Sequence, residues 1–117
     1  MKKIIECFDI EVTDVDRIRF YMKFTKGLTK YAVLIKKNSL YIVKPDAEHF
    51  TLKELQEAVE GYIEIVHSKI GGCVDVVNEE GLIKGLYINE LAYLLAGQKY
   101  VGNVLICPEK LLEEPEE

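Results

Sequence analysis

Short apolar segments in the first third of the chain constrain the fold most. Residues 4–12 and 17–24 place apolar side chains on even positions, with Glu6 as the exception, and residues 31–35 and 40–43 are apolar on both faces. Alternation over this length indicates half-buried strands, whereas short apolar runs indicate strands in the middle of a sheet. The sequence therefore predicts four strands, and Pro45 ends the fourth because proline cannot donate to a strand ladder.

The two alternating segments are predicted to form a hairpin around residues 13–15. Their apolar faces coincide only with an odd loop length, because a slip of one residue turns every side chain over. A three-residue loop places Glu11 opposite Arg17 and Asp9 opposite Arg19. The outer face of the second strand is therefore either neutralised by cross-strand pairs or left basic.

Helix and turn signals organise the rest of the chain. Thr51 and Glu54 form a capping box before a helix from Leu52 to Glu60, which Gly61 closes in the left-handed conformation. Strands are predicted at 63–67 and 73–77. The core-facing stripe of this helix is predicted to consist of Leu52, Leu55, Val59 and Tyr62.

The second half has its own turn and cap. Asn78, Glu79, Glu80 and Gly81 predict a type I turn with a left-handed glycine, followed by a returning strand from Leu82 to Leu86. Asn89 caps a short helix that ends at Gly97, and residues 100–107 form the last strand. The inward side chains of this helix are predicted to be Leu91, Leu94 and Leu95.

These elements predict one α+β domain with a mainly antiparallel sheet and two short helices on one face. Residues 1–39 form an N-terminal β-hairpin extension of the same domain. Residues 40–108 form the α+β core, and residues 109–117 form an acidic, flexible tail.

The segments LYIVKPDAEHFTLKELQEAVEGYIEIV and VVNEEGLIKGLYINELAYLLAGQKYVGN also carry a family resemblance. In their order of helix, strand, Asn-Glu-Glu-Gly turn, short helix and final strand they resemble the family called domain of unknown function 3846, over about residues 40–108. The resemblance implies a phage or mobile-element origin and implies no reaction. Family members usually have proline where this chain has Tyr87.

Composition limits the classes of function. The formal net charge is −5, but residues 1–40 hold nine Lys and Arg against five acids, and residues 41–117 hold six against fifteen. Cys7, Cys73 and Cys107 are too far apart for a zinc knuckle and are interpreted as buried thiols. No apolar run is long enough to span a membrane, so a cytoplasmic location is expected.

No catalytic or cofactor motif occurs in the sequence. It contains no phosphate-binding glycine loop and no nucleophile elbow, and His67 and Cys73 lack an orienting group and an oxyanion site. We therefore expect a protein without catalysis, cofactor or metal site.

Two groups of residues are candidates for binding. In the family-marked turn and cap, Asn78, Glu79, Glu80, Gly81 and Asn89 either contact a ligand or partner or only shape the backbone. In the predicted second strand, a single face carries Arg17, Arg19, Tyr21 and Lys23, with Lys26 just beyond. Basic residues beside an aromatic ring can follow a phosphate backbone and stack a base.

Two hypotheses follow. The first is a non-catalytic binding protein that contacts a host protein or pairs with itself, because the two halves have opposite charge. The alternative is binding of a small nucleotide or of single-stranded nucleic acid through the basic strand face. Duplex DNA is not expected as a partner, because the chain is acidic overall.

Overall fold

The computed structural model describes residues 31–112 in full and residues 3–9 by their backbone. The strands are β1 Lys3–Asp9, β2 Ala32–Ile35, β3 Ser39–Lys44, β4 Ile63–His67, β5 Cys73–Asn78 and β6 Val104–Pro108. The helices are α1 Leu52–Val59 and α2 Glu90–Ala96, and a 3-10 helix spans Glu109–Leu111. The strands form one antiparallel sheet in the order β1-β3-β2-β6-β5-β4. The predicted α+β class is confirmed.

The central hairpin has the predicted position. β2 and β3 pair antiparallel with Ile35 opposite Leu40, and the Lys36 amide donates to the Ser39 carbonyl at 2.9 Å. β3 ends at Lys44, one residue before the buried Pro45. The apolar residues on both faces of this hairpin are explained by its place inside the sheet, between β1 and β6.

The two helices cover opposite faces of the sheet, so the prediction that both lie on one face is wrong. α1 packs in a core cluster with Leu34, Val76 and Leu105, whereas α2 packs in a second cluster with Ile35 and Val104. Successive residues of a strand point to opposite faces, which places the two clusters on the two sides. Apolar residues on both faces of the central strands require this three-layer arrangement, because each face must be covered.

The predicted capping box at α1 is present. The Thr51 hydroxyl accepts from the Glu54 amide at 3.2 Å, and the Glu54 carboxylate accepts from the Thr51 amide at 2.9 Å. The left-handed residue is Glu60 and not Gly61. Gly61 is required for a different reason, since a Cβ there would lie 2.6 Å from the side-chain nitrogen of Asn78.

The predicted inward stripes are only partly right. In α1, Leu55 and Val59 are buried, whereas Leu52 and Tyr62 are exposed. In α2, the buried side chains are Leu91, Ala92, Leu95 and Ala96, and Leu94 is half-buried. Ala58 is buried in the same cluster as Leu55 and Val59, and Ala92 and Ala96 are buried in the cluster of α2.

The strand predicted from Leu82 to Leu86 is absent, because residues 79–85 form turns. β5 already pairs with β4 on one edge and β6 on the other, so it has no edge left for a returning strand. The predicted start of the flexible tail at residue 109 is too early. The 3-10 helix buries Leu111, and Leu112 forms a bridge with Phe50.

The predicted N-terminal hairpin can be compared with the structure only at its first strand. β1 pairs with β3, with Cys7 opposite Tyr41 and Asp9 opposite Ser39. Residues 10–30 lie outside the described residues, and so do the predicted pairs of Glu11 with Arg17 and of Asp9 with Arg19.

Candidate interaction surface

A turn-rich loop connects β5 to α2, and we refer to its residues 79–88 as the apolar loop. Its backbone is hydrogen-bonded within itself: the Lys84 amide donates to Glu80 at 2.9 Å, Gly85 to Leu82 at 3.2 Å and Leu86 to Gly81 at 3.0 Å. A loop with satisfied backbone groups keeps a defined shape.

Asn78 fixes the start of the apolar loop. Its side-chain oxygen accepts from the Glu80 amide at 2.8 Å, which is the Asx turn expected of asparagine at this place. Its side-chain nitrogen donates to the Val59 carbonyl at 3.1 Å, at the end of α1. Asn78 is buried, so it forms the turn and also satisfies a helix carbonyl that has no partner within the helix.

Gly81 has a packing role and not the predicted left-handed conformation. Its φ is not positive, but a Cβ at this position would lie 2.5 Å from Cγ2 of Val101. Real side chains do not approach so closely. Glycine therefore allows the loop to lie directly on the segment that leads into β6.

The tip of the apolar loop exposes two large aliphatic side chains. Leu82 is 83% exposed and Ile83 is 85% exposed. Burying such a side chain gains about 1.5–3 kcal/mol, and this gain is not realised in the monomer. The tip therefore presents apolar surface on an ordered backbone.

Two further exposed apolar residues lie at the base of the same loop. Ile88 is 71% exposed and stands opposite Val101 in an isolated bridge, and Val101 in turn lies against Gly81. Tyr62 is 63% exposed, and its carbonyl accepts from the Glu79 amide at 2.9 Å. Exposed apolar side chains thus lie at the tip of the loop and beside both of its ends.

Two adjacent carboxylates lie at the start of the loop. Glu79 is exposed, and Glu80 forms a 3.7 Å ion pair with Lys84. One carboxylate of the predicted Asn-Glu-Glu-Gly turn therefore remains without an ion pair among the described residues.

Asn89 joins α2 to the sheet. Its side-chain oxygen accepts from the Ala92 amide at 2.9 Å, which confirms the predicted cap. Its nitrogen donates to the carbonyls of Ile35 at 3.0 Å and Gly102 at 2.8 Å. Both N–H donors are used inside a fully buried site, so the side chain serves the fold.

Asn103 connects the apolar loop to α1. Its nitrogen donates to the Ala58 carbonyl at 3.1 Å, and the Tyr87 hydroxyl donates to its oxygen. Burial, with a smaller effect of the Glu60 charge, raises the pKa of Tyr87 to about 12. Tyr87 therefore remains a neutral donor at physiological pH.

Asp75 is the least satisfied buried group in the described chain. Its Oδ2 accepts from the Tyr100 hydroxyl at 2.7 Å, but its Oδ1 has no hydrogen-bond partner there. Burial raises the pKa of Asp75, although Tyr100, Ser68 and the charge of His67 oppose the shift. Burial and the hydrogen bond to Asp75 also raise the pKa of Tyr100. The carboxyl is fully buried, so a substrate cannot reach it in this conformation.

The other predicted site residues and thiols have separate places. Arg17, Arg19, Tyr21, Lys23 and Lys26 all lie outside the described residues. Cys107 is buried, and burial raises its pKa to about 12, so it remains a thiol. No group of three or more potential metal ligands occurs among the described side chains. With eight and seven residues, α1 and α2 are too short to cross a membrane.

The fold and the apolar loop define a small α+β domain with an exposed apolar surface. The family model described as Domain of unknown function (DUF3846) matches residues 30–113, which is more than half of the chain. The protein belongs to this family. The match begins ten residues earlier than the predicted resemblance and includes β2. No curated protein and no solved structure matches the chain.

Sequence reasoning missed Leu82 and Ile83 because they were assigned to a returning strand. The signal that could have placed them in a loop is their position between Gly81 and Gly85, with charged residues on either side. It also missed Asp75, whose signal is a single acid within an otherwise apolar strand.

Proposed function

We propose that this protein is a non-catalytic binding protein of phage or mobile-element type. In this proposal it acts in the cytoplasm, and its apolar loop docks into an apolar groove of a protein partner. The observation that carries the proposal is the exposure of Leu82 and Ile83 on a backbone that is ordered by its own hydrogen bonds. An ordered loop loses little conformational entropy when it binds.

The chemistry of the surface favours a protein over a nucleic acid at this loop. Two aliphatic side chains at the tip require an apolar pocket. Glu79 and Glu80 at the base would repel phosphates, since nucleic-acid affinity depends on neutralising them. An apolar, desolvated centre surrounded by a polar rim is typical of a protein interface.

The absence of catalysis is supported by the sequence, which contains no recognised catalytic or phosphate-binding motif. The carboxyl of Asp75, whose pKa is raised by burial, is enclosed in the core and bonded to Tyr100, where it cannot contact a substrate without opening of the fold.

The test compares three proteins as affinity baits: wild type, a Leu82→Ser/Ile83→Ser double variant, and Leu52→Ser. Leu52 is also exposed, but it lies at the opposite end of α1 from Asn78 and serves as the matched control. A specific partner should be retained by wild type and by Leu52→Ser and lost by the double variant.

The affinity for that partner is then measured with purified proteins. If Leu82 and Ile83 are anchors, each should contribute about 2 kcal/mol, and the double variant should bind at least a hundredfold more weakly. Its free energy of unfolding should stay within about 0.5 kcal/mol of wild type. Equal affinity of the double variant and wild type would refute docking through this loop.

The nucleotide alternative rests on the alternation of Arg17, Arg19, Tyr21 and Lys23 in the sequence. It is tested by binding of oligonucleotides and cyclic nucleotides at two salt concentrations, with Arg19→Ala and Tyr21→Ala as variants. The alternative is supported if wild type binds such a ligand and both variants do not. Binding by wild type should also be weaker at the higher salt concentration. No binding by wild type would exclude it.

A further inference from the structure

We propose that two copies of this chain pair through the outer edges of β4, with Ile65 on the two-fold axis, so that the two sheets become one. This interface lies on a different element from the apolar loop and does not depend on the docking proposed above. It would leave the loop of each copy available to a partner.

The backbone of β4 has hydrogen-bonding groups that point away from the sheet. The Glu79 amide donates to the Tyr62 carbonyl, and the Ser68 amide donates to the Cys73 carbonyl, so even-numbered residues bond to β5. Bonding alternates along an antiparallel pair. The N–H and C=O groups of Ile63, Ile65 and His67 therefore face outward, and no strand in the described chain lies beyond them.

One side chain on this edge is apolar and insufficiently covered. Ile65 lies opposite Val76 on the face that α1 covers. Val76 is fully buried, whereas Ile65 is 49% exposed because the sheet ends beside it. A further strand would cover it.

The charges along β4 favour an antiparallel pairing of two copies. Glu60 precedes the strand and Glu64 lies in its first half, whereas His67 ends it and Lys69 follows, with its ammonium also donating to the Gly97 carbonyl at 3.1 Å. A two-fold axis places the acidic start of one copy beside the basic end of the other. A parallel pairing would place like charges together, which is destabilising.

The register follows from the same charges. Centring the axis on Ile65 sets Glu64 opposite Val66 of the other copy and brings the outward groups of residues 63, 65 and 67 into three hydrogen-bonded pairs. Centring it on Glu64 would oppose two glutamates. Centring it on Val66 would shorten the pairing at the Ile63 end. Ile65 therefore gives the longest pairing without a like-charge contact.

The side chain nearest this edge is compatible with the pairing. The Gln98 amide donates to the His67 carbonyl at 3.3 Å from an exposed position. A carbonyl oxygen has two lone pairs, so His67 can accept a second bond from the partner strand.

A cysteine cross-link tests the register. In the proposed pair the two Cα atoms of residue 65 lie about 5.5 Å apart, within the range of a disulfide. Ile65→Cys should give a covalent dimer on mild oxidation. Glu64→Cys is the matched control: residues 64 of the two copies lie about two positions apart along the strands, beyond disulfide range. Wild type measures the contribution of the three native cysteines.

Sedimentation equilibrium tests the assembly without oxidation. Wild type should dimerise, and Ile65→Pro should be monomeric, because proline removes an outward N–H without touching the bonds between β4 and β5. Far-ultraviolet circular dichroism checks that this variant folds. The Leu82→Ser/Ile83→Ser variant should dimerise like wild type, which separates this interface from the docking loop.

Three results would overturn the proposal. These are a wild-type protein that stays monomeric at high concentration and low salt, equal cross-linking of the Ile65→Cys and Glu64→Cys variants, and a dimer that is lost in the loop variant but kept in Ile65→Pro. A β4 edge occupied by another segment or by a different protein would give the first of these results.

Discussion

The apolar loop lies on the segment that leads into β6, yet the loop and β6 use aliphatic side chains in opposite ways. In β6, Val104, Leu105 and Ile106 are buried, whereas Leu82, Ile83 and Ile88 of the loop are the most exposed large apolar residues of the described chain. Both segments are ordered by backbone hydrogen bonds. The difference shows that order and burial are separate properties of a segment.

This difference in burial arises from how many sides of each segment are covered by other elements. β6 has strands on both edges and a helix over each face, so each of its side chains meets another element. The loop rests on residues 101–102 through Gly81 and Leu86, but no element of the described chain covers its tip at Leu82 and Ile83. We therefore expect substitutions in β6 to reduce stability and substitutions at the loop tip to affect only binding.

The largest expected effect tests this difference directly. Leu105→Ala should reduce the free energy of unfolding by about 2–5 kcal/mol, because it removes buried methyl groups and leaves a cavity. Leu82→Ala removes the same atoms from an exposed site and should change it by less than about 0.5 kcal/mol. Urea unfolding measures both. Similar losses in the two variants would show that the loop tip is covered in solution.

A second effect concerns Asn89, which connects the end of the loop to the sheet. Asn89→Ala should cost about 2–4 kcal/mol, since it removes the cap of α2 and leaves the Ile35 and Gly102 carbonyls without a donor. Asn89→Ser keeps a capping oxygen and should lose less. If both variants unfold at the same urea concentration as wild type, Asn89 does not hold these elements together.

A third, smaller effect is a pH dependence from Asp75. Burial raises its pKa above the ordinary value of 3.8, so the folded state keeps a proton that the unfolded state has lost. Stability from this group is full below that value and falls as the pH rises through the raised pKa. Asp75→Asn cannot titrate, and its amide oxygen still accepts from Tyr100.

Thermal unfolding of wild type and Asp75→Asn between pH 3 and pH 8 measures this contribution. The variant should gain stability relative to wild type as the pH rises, whereas the other carboxylates cancel in the comparison. A constant difference across this range would show that Asp75 has an ordinary pKa in the folded protein.

The smallest effect is expected for the ion pair in the loop. Lys84→Gln should change the free energy of unfolding by less than about 0.5 kcal/mol, because Glu80 and Lys84 are both well exposed. Urea unfolding at low and high salt measures it. A larger, salt-dependent loss would mean that charge pairing, and not the backbone bonds, gives the loop its shape.

The features that the sequence predicted correctly depend on short-range signals. The Thr51 and Glu54 capping box, the Asn89 cap and the left-handed Gly97 act within about four residues along the chain. The β2–β3 hairpin and its termination before Pro45 are also local. The turn that begins at Asn78 was predicted from the same kind of signal, although its Gly81 is not left-handed.

The candidate surface was predicted less well. The same Gly81 that suggested a hairpin turn is required by its contact with Val101, which lies twenty residues away in the chain. Ile65 and Leu82 each match an apolar strand pattern. Ile65 lies on the edge strand β4, however, and Leu82 lies in a loop. Apolar residue type alone does not tell whether another element covers a side chain.

The sequence by itself determined the class of fold, the capped helices and the family, because each depends on residue order and on local backbone chemistry. Only the tertiary structure decided that the helices cover opposite faces, that Asp75 is enclosed with one oxygen unsatisfied, and that Leu82 and Ile83 face solvent. These outcomes depend on which distant segments of the chain contact each other. The periodicity of apolar residues, two in a strand and 3.6 in a helix, does not specify those contacts.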